Sequence, residues 1–267
     1  MTTDLNTPSW WGGENRASGR PSLLGLIDNG TMDTQTAALL WLLVDRGSSI
    51  LAAAGPQLAG KTTLLTTLLD LMPSSLDSSR EQVLTRGKEE DFSFLKRTVP
   101  QETYILVAEL SNHTPAYLWG DSVQTLFHAL DVGYAMLATM HADAPEEVLD
   151  ILRDYPVFIP NSQLHHVGVV VNLVLMYGEH ELNHRVSGIT LIEPGPSLVT
   201  LMDWNADDNS IAFLTSREVM DALARHVGLS FEELSGELKR RHDALQERLT
   251  VGDLTPPAVV QMAEAYN

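Results

Sequence analysis

Cysteine is absent from the 267 residues of this chain. Its absence excludes disulfide bonds, thiol nucleophiles and any zinc or iron–sulfur site with cysteine ligands. A chain without thiols suits a reducing compartment, and we expect a cytoplasmic protein. Basic residues are also scarce, because 17 Lys and Arg stand against 35 Asp and Glu, a net charge of −18. Such a surface repels nucleic acid and anionic lipid, so the expected partners are proteins or small ligands.

Long apolar runs are missing as well. The longest, Val167 to Tyr177, is interrupted by Asn172 and is far shorter than a membrane-spanning helix needs. The segment Met1 to Trp11 has neither the basic region nor the apolar region of a secretory signal. We therefore expect a soluble protein with no direct insertion into a membrane. The hydrophobic content of 44% is enough for one large core.

Short apolar runs alternate with helical patterns along the chain, as they do in α/β proteins. Runs bounded by glycine or polar residues predict buried strands, and apolar positions at helical spacing predict helices. The predicted strands cover residues 49–54, 104–108 and 135–139, and the predicted helices cover 33–46, 61–71, 117–130 and 145–153. This pattern predicts a mostly parallel sheet with helices on its faces.

The second half of the sequence changes character. Residues Val167 to Pro194 predict a β-hairpin appended to the sheet, and Asp203 to Asn209 predict a polar turn. Helical periodicity returns after Ser216, with Ser230 and Glu233 spaced as a capping box. We therefore divide the chain into a flexible lead-in (1–30), a nucleotide-binding domain (31–215) and a C-terminal helical subdomain (216–267).

One motif carries specific chemistry. Residues 55–62 fit the phosphate-binding pattern G-x-x-x-x-G-K-[ST], between a predicted strand and a predicted helix. The glycines let backbone N–H groups turn inward around phosphates, and the helix adds its positive end. Lys61 would reach the β- and γ-phosphates, and the Thr62 hydroxyl would bind Mg²⁺. We expect ATP and Mg²⁺ as ligands, with contacts from Gly55, Pro56, Gln57, Leu58, Ala59, Gly60, Lys61, Thr62 and Thr63.

A phosphate-binding loop needs a carboxylate near the metal and the attacking water, usually at the end of a neighbouring strand. Glu109 directly follows the predicted strand 104–108. A glutamate at this position would act as a general base toward water and would lie near Mg²⁺ together with Thr62. The alternative is a solvated glutamate at the end of a strand.

Three stretches in addition to the phosphate loop make the chain resemble the type II/IV secretion ATPases, the hexameric motors of pilus assembly, archaella, type II secretion and conjugation. Residues 105–109, Ile-Leu-Val-Ala-Glu, are similar to the family's Walker B strand, and the resemblance makes Glu109 the catalytic base. Residues 133–143, followed by Glu146-Glu147-Val148, resemble its histidine box. By that resemblance His141 is a second catalytic residue, which senses the γ-phosphate.

The resemblance implies a RecA-like P-loop fold, a homohexamer, ATP hydrolysis and partners among secretion or pilus platform proteins, which would dock the protein at the inner face of the membrane. The segment from Phe231 to Tyr266 is similar to the closing helices of the archaeal branch. Only the motor domain is covered. In the family a separate amino-terminal domain supplies arginines to the nucleotide site, and the short lead-in here is not that domain.

Several positions depart from the family pattern. Residues Glu89-Glu90-Asp91 match the acidic box only loosely, Ser111-Asn112 stands where an arginine is common, and Ala59 replaces the usual serine. Four residues are candidates for the cation that a neighbouring subunit would supply to the nucleotide site, although each is more simply interpreted as solvated surface charge. They are Arg80, Arg86, Lys88 and Arg97.

Two other functions remain open at this point. One is a degenerate nucleotide-binding subunit that regulates or scaffolds with little turnover. The other is a small-molecule kinase that shares only the phosphate loop. Residues 180–184 also match the zinc pattern H-E-x-x-H, but this motif lies between two strand-like runs, so its histidines would not share a helical face. We do not expect a metal site there.

Overall fold

The computed structural model describes residues 20–55, 57–72, 81–177 and 182–266. Pro56, Arg80, His180 and most of the predicted lead-in lie outside these ranges. The helices are α1 (Leu23–Asp28), α2 (Thr34–Asp45), α3 (Lys61–Leu69), α4 (Asp121–Asp131), α5 (Pro145–Arg153), α6 (Arg217–Val227), α7 (Phe231–Val251) and α8 (Pro256–Tyr266). The strands are β1 (Ile50–Ala53), β2 (Glu81–Leu84), β3 (Thr103–Val107), β4 (Ala135–Met140), β5 (Val169–Tyr177), β6 (Leu182–Glu193), β7 (Ser197–Asn205) and β8 (Ser210–Phe213).

The eight strands form one sheet in the order β2-β3-β4-β1-β5-β6-β7-β8. The first five strands in this order are parallel, and β6, β7 and β8 extend the sheet in antiparallel fashion. Strand β4 therefore lies between β1, which leads into the phosphate loop, and β3, which leads to Glu109. This is a RecA-like P-loop fold with a mostly parallel sheet, as the sequence predicted.

Both faces of the parallel strands are buried. In β1, Ile50 and Ala52 belong to a core shared with α1, α2, α3 and the C-terminal helices, whereas Leu51 and Ala53 belong to a second core with α4 and α5. Successive residues of a strand point to opposite faces, so an unbroken apolar run is what a strand covered on both sides requires. The phosphate loop is thus anchored in a strand with no solvent-exposed face.

Some predictions differ from the structure in their details. The predicted hairpin is present as β5 and β6, but β5 also pairs with β1, so the hairpin continues the sheet. The polar turn predicted over 203–209 is shorter, because β7 extends to Asn205. Strands β2, β7 and β8 were not predicted. Helix α1 falls within the predicted lead-in, yet Leu23 and Leu24 are fully buried in the core.

The C-terminal helices are attached through a buried arginine. The capping box of Ser230 and Glu233 is confirmed at the start of α7. Further along this helix, the Arg241 guanidinium donates to Asp45 of α2 at 2.6 Å and to the Tyr266 hydroxyl at 2.9 Å. It also lies over the Trp41 ring, with the side chain only 1% exposed.

Within the described ranges, no helix has both the length and the apolar character to cross a bilayer.

Candidate functional site

The phosphate loop joins the end of β1 to the start of α3. Gly60 has a φ of 91° and is the N-cap of α3, a backbone conformation that a side chain would strain. Among the described residues no side chain caps this helix end, and the start of a helix attracts an anion through its N–H groups and its dipole. Gly55 begins the loop, and a Cβ at this position would overlap the carboxylate of Asp143. The fold thus uses glycine at the two positions where the motif requires it.

Lys61 is the first residue of α3, and its side chain points back under the loop. Its ammonium lies 3.4 Å from the Ala54 carbonyl oxygen and 3.4 Å from His141 Nδ1, and the residue is 7% exposed. Both contacts are long, and neither partner is a carboxylate. Burial lowers the pKa of Lys61, and the negative charge of Glu109 opposes this shift. The site therefore holds a poorly compensated cation.

Glu109 is positioned by the backbone that follows β3. The amide of Leu110 donates to the Thr139 carbonyl at 2.9 Å, and the amide of Leu118 donates to the Glu109 carbonyl at 3.0 Å. The side chain is buried, and its Oε1 atom has no hydrogen-bond partner among the residues that the structure describes. A buried carboxylate oxygen without a partner is costly and marks a position where a ligand is expected.

His141 directly follows β4 and bridges the loop to Glu109. The register that pairs β4 with β1 brings the Ala54 amide to the Met140 carbonyl, so the next residue reaches the loop. His141 Nδ1 lies 2.9 Å from the Gly55 carbonyl oxygen, and its Nε2 lies 3.5 Å from Glu109 Oε2. Both ring nitrogens therefore face oxygen atoms, one on each side of the site.

These residues fit a magnesium-bound polyphosphate. The phosphate tail would neutralise the buried ammonium of Lys61, and Glu109 Oε1 offers a carboxylate oxygen of the kind that Mg²⁺ prefers. Thr62 is half-buried next to Lys61, where its hydroxyl can serve as a second oxygen ligand. Among the remaining predicted contacts, Gln57 and Leu58 are exposed, Ala59 is buried and Thr63 is half-buried, while Pro56 is outside the described residues.

Three side chains join this cluster without having been assigned a role from the sequence. His113 Nδ1 lies 3.8 Å from Glu109 Oε1, and the Asp143 carboxylate lies against Gly55. His184 of β6 contacts the Leu58 carbonyl through Nε2 at 2.8 Å. Asp143 could have been found as a carboxylate after a strand, as Glu109 was. His184 stood out in the sequence only as part of the zinc-like motif, and the β5–β6 hairpin brings it to the loop from a distance. His113 follows Glu109 by four residues in a loop without a periodic pattern.

The loosely matched acidic box, residues 89–91, makes hydrogen bonds to residues within its own loop. The Glu90 carboxylate accepts the amides of Arg86 and Phe92, each at 2.8 Å, and its side chain is buried. Asp91 accepts the Ser93 amide and pairs with the Arg86 guanidinium at 2.7 Å. These contacts assign Glu90 and Asp91 a local structural role.

The candidate trans cations that the structure describes lie at the surface. Arg97 pairs with Glu81 at 2.8 Å, and Lys88 is exposed. With Arg86 paired to Asp91, these contacts agree with the interpretation of Arg86, Lys88 and Arg97 as surface charge.

The zinc-like motif lies partly outside the described residues. Its last three residues begin strand β6, so the motif does not continue as a helix. Across the described ranges, no group of three or more metal-binding side chains is assembled.

Comparisons with known proteins give distant relatives. No model of a known protein family matches the sequence. The uncharacterized protein MJ1287 of Methanocaldococcus jannaschii is 28% identical, over 83% of this chain and 89% of its own length. The uncharacterized protein MJ0900 of the same organism is 26% identical, over 85% of this chain and 45% of its own length. The chain therefore spans less than half of the second relative.

Two solved structures show a weak similarity to this chain. The X-ray structure of the Yersinia pseudotuberculosis ATPase DotB covers 91% of this chain with a TM-score of 0.43 and 15% identity. That of the Legionella pneumophila ATPase DotB covers 88% with a TM-score of 0.40 and 14% identity. This chain spans 63% of each DotB chain.

Proposed function

We propose that this protein binds Mg²⁺-ATP and hydrolyses it as the motor subunit of a type II/IV secretion or type IV pilus-like apparatus. The observation that carries the proposal is the meeting of three groups at the carboxyl ends of neighbouring parallel strands. Lys61 lies beyond β1, Glu109 beyond β3 and His141 beyond β4, and each contacts or electrostatically influences another. Ligand sites of open α/β sheets lie at this edge.

Each group has a distinct task in the proposed reaction. Backbone amides of residues 57–62 and the Lys61 ammonium would hold the phosphate tail, which compensates the buried positive charge. Mg²⁺, held by Thr62 and Glu109, would neutralise charge on the β- and γ-phosphates. Glu109 would take a proton from the attacking water, since its side chain is buried beside the loop and one of its oxygens accepts no hydrogen bond from the described part of the chain.

His141 connects the loop to the base and suits a sensing role. Its ring contacts the Gly55 carbonyl and Glu109 at the same time, so loss of the γ-phosphate would alter the forces on both sides of the imidazole. In a ring of subunits such a change would be converted into rigid-body movement. A homohexamer would also bring the cations of a neighbouring subunit to the nucleotide.

The test is phosphate release from ATP, measured with Mg²⁺ and with excess EDTA, beside light scattering with and without nucleotide. We expect phosphate release that depends on Mg²⁺ and needs no added acceptor. In light scattering we expect particles of the size of a hexameric ring, which ATP stabilises. Monomers whose turnover requires a small-molecule acceptor would identify a kinase instead.

A second candidate is a nucleotide-binding regulatory or scaffold subunit with little turnover. It is favoured by Asp143, whose carboxylate lies against the first glycine of the loop and would oppose the negative charge of a triphosphate. Tight binding of Mg²⁺-ATP, with phosphate release no faster than in the Glu109→Gln variant, would support this candidate over the motor.

A further inference from the structure

The tip of the phosphate loop is held from outside by a residue of the hairpin. Strand β1 ends at Ala53 opposite Asn172, whereas β5 continues to Tyr177, so β5 and its partner β6 extend past the point where the loop begins. On the extended part of β6, His184 is paired with Leu175 of β5. Its imidazole contacts the phosphate loop, where Nε2 donates to the Leu58 carbonyl oxygen at 2.8 Å.

This hydrogen bond fixes the orientation of a peptide group that faces the proposed phosphates. The bond between Leu58 and Ala59 is trans, so the Leu58 carbonyl and the Ala59 N–H point in opposite directions. With the carbonyl directed at His184, the N–H is directed away from the imidazole. A phosphate cradle requires its carbonyls outside and its N–H groups inside, and His184 imposes this arrangement at one peptide group of the loop.

Leu58 needs such a restraint. Its φ of 63° is in the left-handed region, which a leucine adopts only at an energetic cost. Its side chain is 82% exposed, so packing does not offset that cost. His184 also covers the neighbouring glycine, because a Cβ at Gly60 would lie 3.3 Å from the imidazole Cδ2. The imidazole therefore contacts the loop at Leu58 and Gly60, two residues in the left-handed region.

We propose that His184 is a positioning residue of the nucleotide site, which holds the tip of the phosphate loop in its phosphate-binding conformation and links it to hairpin β5–β6. This inference rests on the proposed function, since it assigns the loop a triphosphate. A preorganised loop binds more tightly because less conformational entropy is lost on binding. The effect concerns the phosphates alone, so ATP and inorganic tripolyphosphate should be affected equally.

The experiment compares wild type with His184→Ala and His184→Gln. The glutamine amide can reach the position of the imidazole Nε2 and donate in its place. Asn183→Ala is the matched control, because the adjacent residue of a strand points to the opposite face. Amide hydrogen exchange of residues 57–61 is measured without ligand, and calorimetry gives the dissociation constants for Mg²⁺-ATP and Mg²⁺-tripolyphosphate.

His184→Ala loses one hydrogen bond of ordinary strength. We therefore expect it to bind both ligands about three- to ten-fold more weakly, with the same factor for each. Exchange of the loop amides should be faster in this variant. His184→Gln should recover most of both effects, and Asn183→Ala should behave as wild type. His184 is half-buried at the edge of the sheet, so its replacement leaves the core intact.

Three results would overturn the inference while leaving the proposed function in place. They are unchanged exchange and affinity in His184→Ala, weakening for ATP but not for tripolyphosphate, and a glutamine variant no better than the alanine variant. If wild type binds neither ligand, the proposed function fails, and the role of His184 fails with it.

Discussion

The carboxylate of Glu109 faces the imidazole of His141 across the ends of β3 and β4, with 3.5 Å between Oε2 and Nε2. The same imidazole contacts the first residue of the phosphate loop through its other nitrogen. The acid, the histidine and the loop thus form one connected unit built on three parallel strands. This connection links binding of the phosphate tail to the group proposed to activate water.

Glu109→Gln separates chemistry from binding. Glutamine keeps the shape of the side chain but cannot accept a proton, so we expect kcat for ATP hydrolysis to fall by about 10²–10⁴-fold, the usual contribution of a general base. The dissociation constant for Mg²⁺-ATP should change much less, because Lys61 and the loop amides remain. Parallel phosphate-release and calorimetric measurements distinguish the two. Equal loss in both quantities would mean that Glu109 serves binding rather than proton transfer.

Gly55→Ala tests the close approach of Asp143 to the loop. The new Cβ would overlap the Asp143 carboxylate, so either the loop or the acid must move. Overpacking of this kind costs about 1 kcal/mol or more, which corresponds to about five-fold weaker binding of ATP. In the Asp143→Ala background the same substitution should cost clearly less, and a double-mutant cycle by calorimetry measures the difference. If the effects of the two substitutions on ATP binding are additive, the contact between residue 55 and Asp143 is contradicted.

The sequence predicted the parallel core and most of the site because both depend on short-range patterns. A short, β-branched apolar run such as 104–108, bounded by polar residues, is typical of a buried strand, and the phosphate motif carries its own geometry. The added strands β7 and β8 were missed because their half-buried residues give no continuous apolar run. His113 and His184 were missed for a different reason. The role of His184 depends on which distant segment the tertiary fold brings to the loop. The role of His113 depends on the path of the irregular loop that follows Glu109, and no periodic pattern encodes that path.

Arg241→Ala should destabilise the protein by about 3–5 kcal/mol, because it removes a buried guanidinium that pairs with both Asp45 and Glu237. The exposed neighbour provides the control, since Arg240→Ala removes the same charge from the surface and should cost less than about 1 kcal/mol. Urea denaturation monitored by circular dichroism gives both values. Equal midpoints for the two variants would show that the buried network does not hold the C-terminal helices in place.

His226 makes stability depend on pH. Burial lowers the pKa of His226 below 6.5, and Glu193 opposes this shift. The histidine therefore binds a proton more readily in the unfolded chain than in the folded protein. Its contribution to the free energy of unfolding is complete above the pKa of the unfolded state, and it is lost as the pH falls through the pKa of the folded state. We expect wild type to lose more stability than His226→Gln between about pH 7.5 and pH 5.5. The glutamine can keep the 3.0 Å contact with the Ser48 hydroxyl without titrating. Thermal melts across this range that are parallel for both proteins would contradict the assignment.

The central claim is that the loop of residues 55–62 binds a triphosphate through Lys61, and calorimetric titration with Mg²⁺-ATP tests it most directly. Wild type should bind, and Lys61→Ala should bind at least about ten-fold more weakly, since a charge-assisted hydrogen bond is lost. Lys96→Ala removes the same charge from an exposed position and should bind as wild type does. No uptake of Mg²⁺-ATP by folded wild-type protein at millimolar concentration, or equal affinity in Lys61→Ala, would contradict the account.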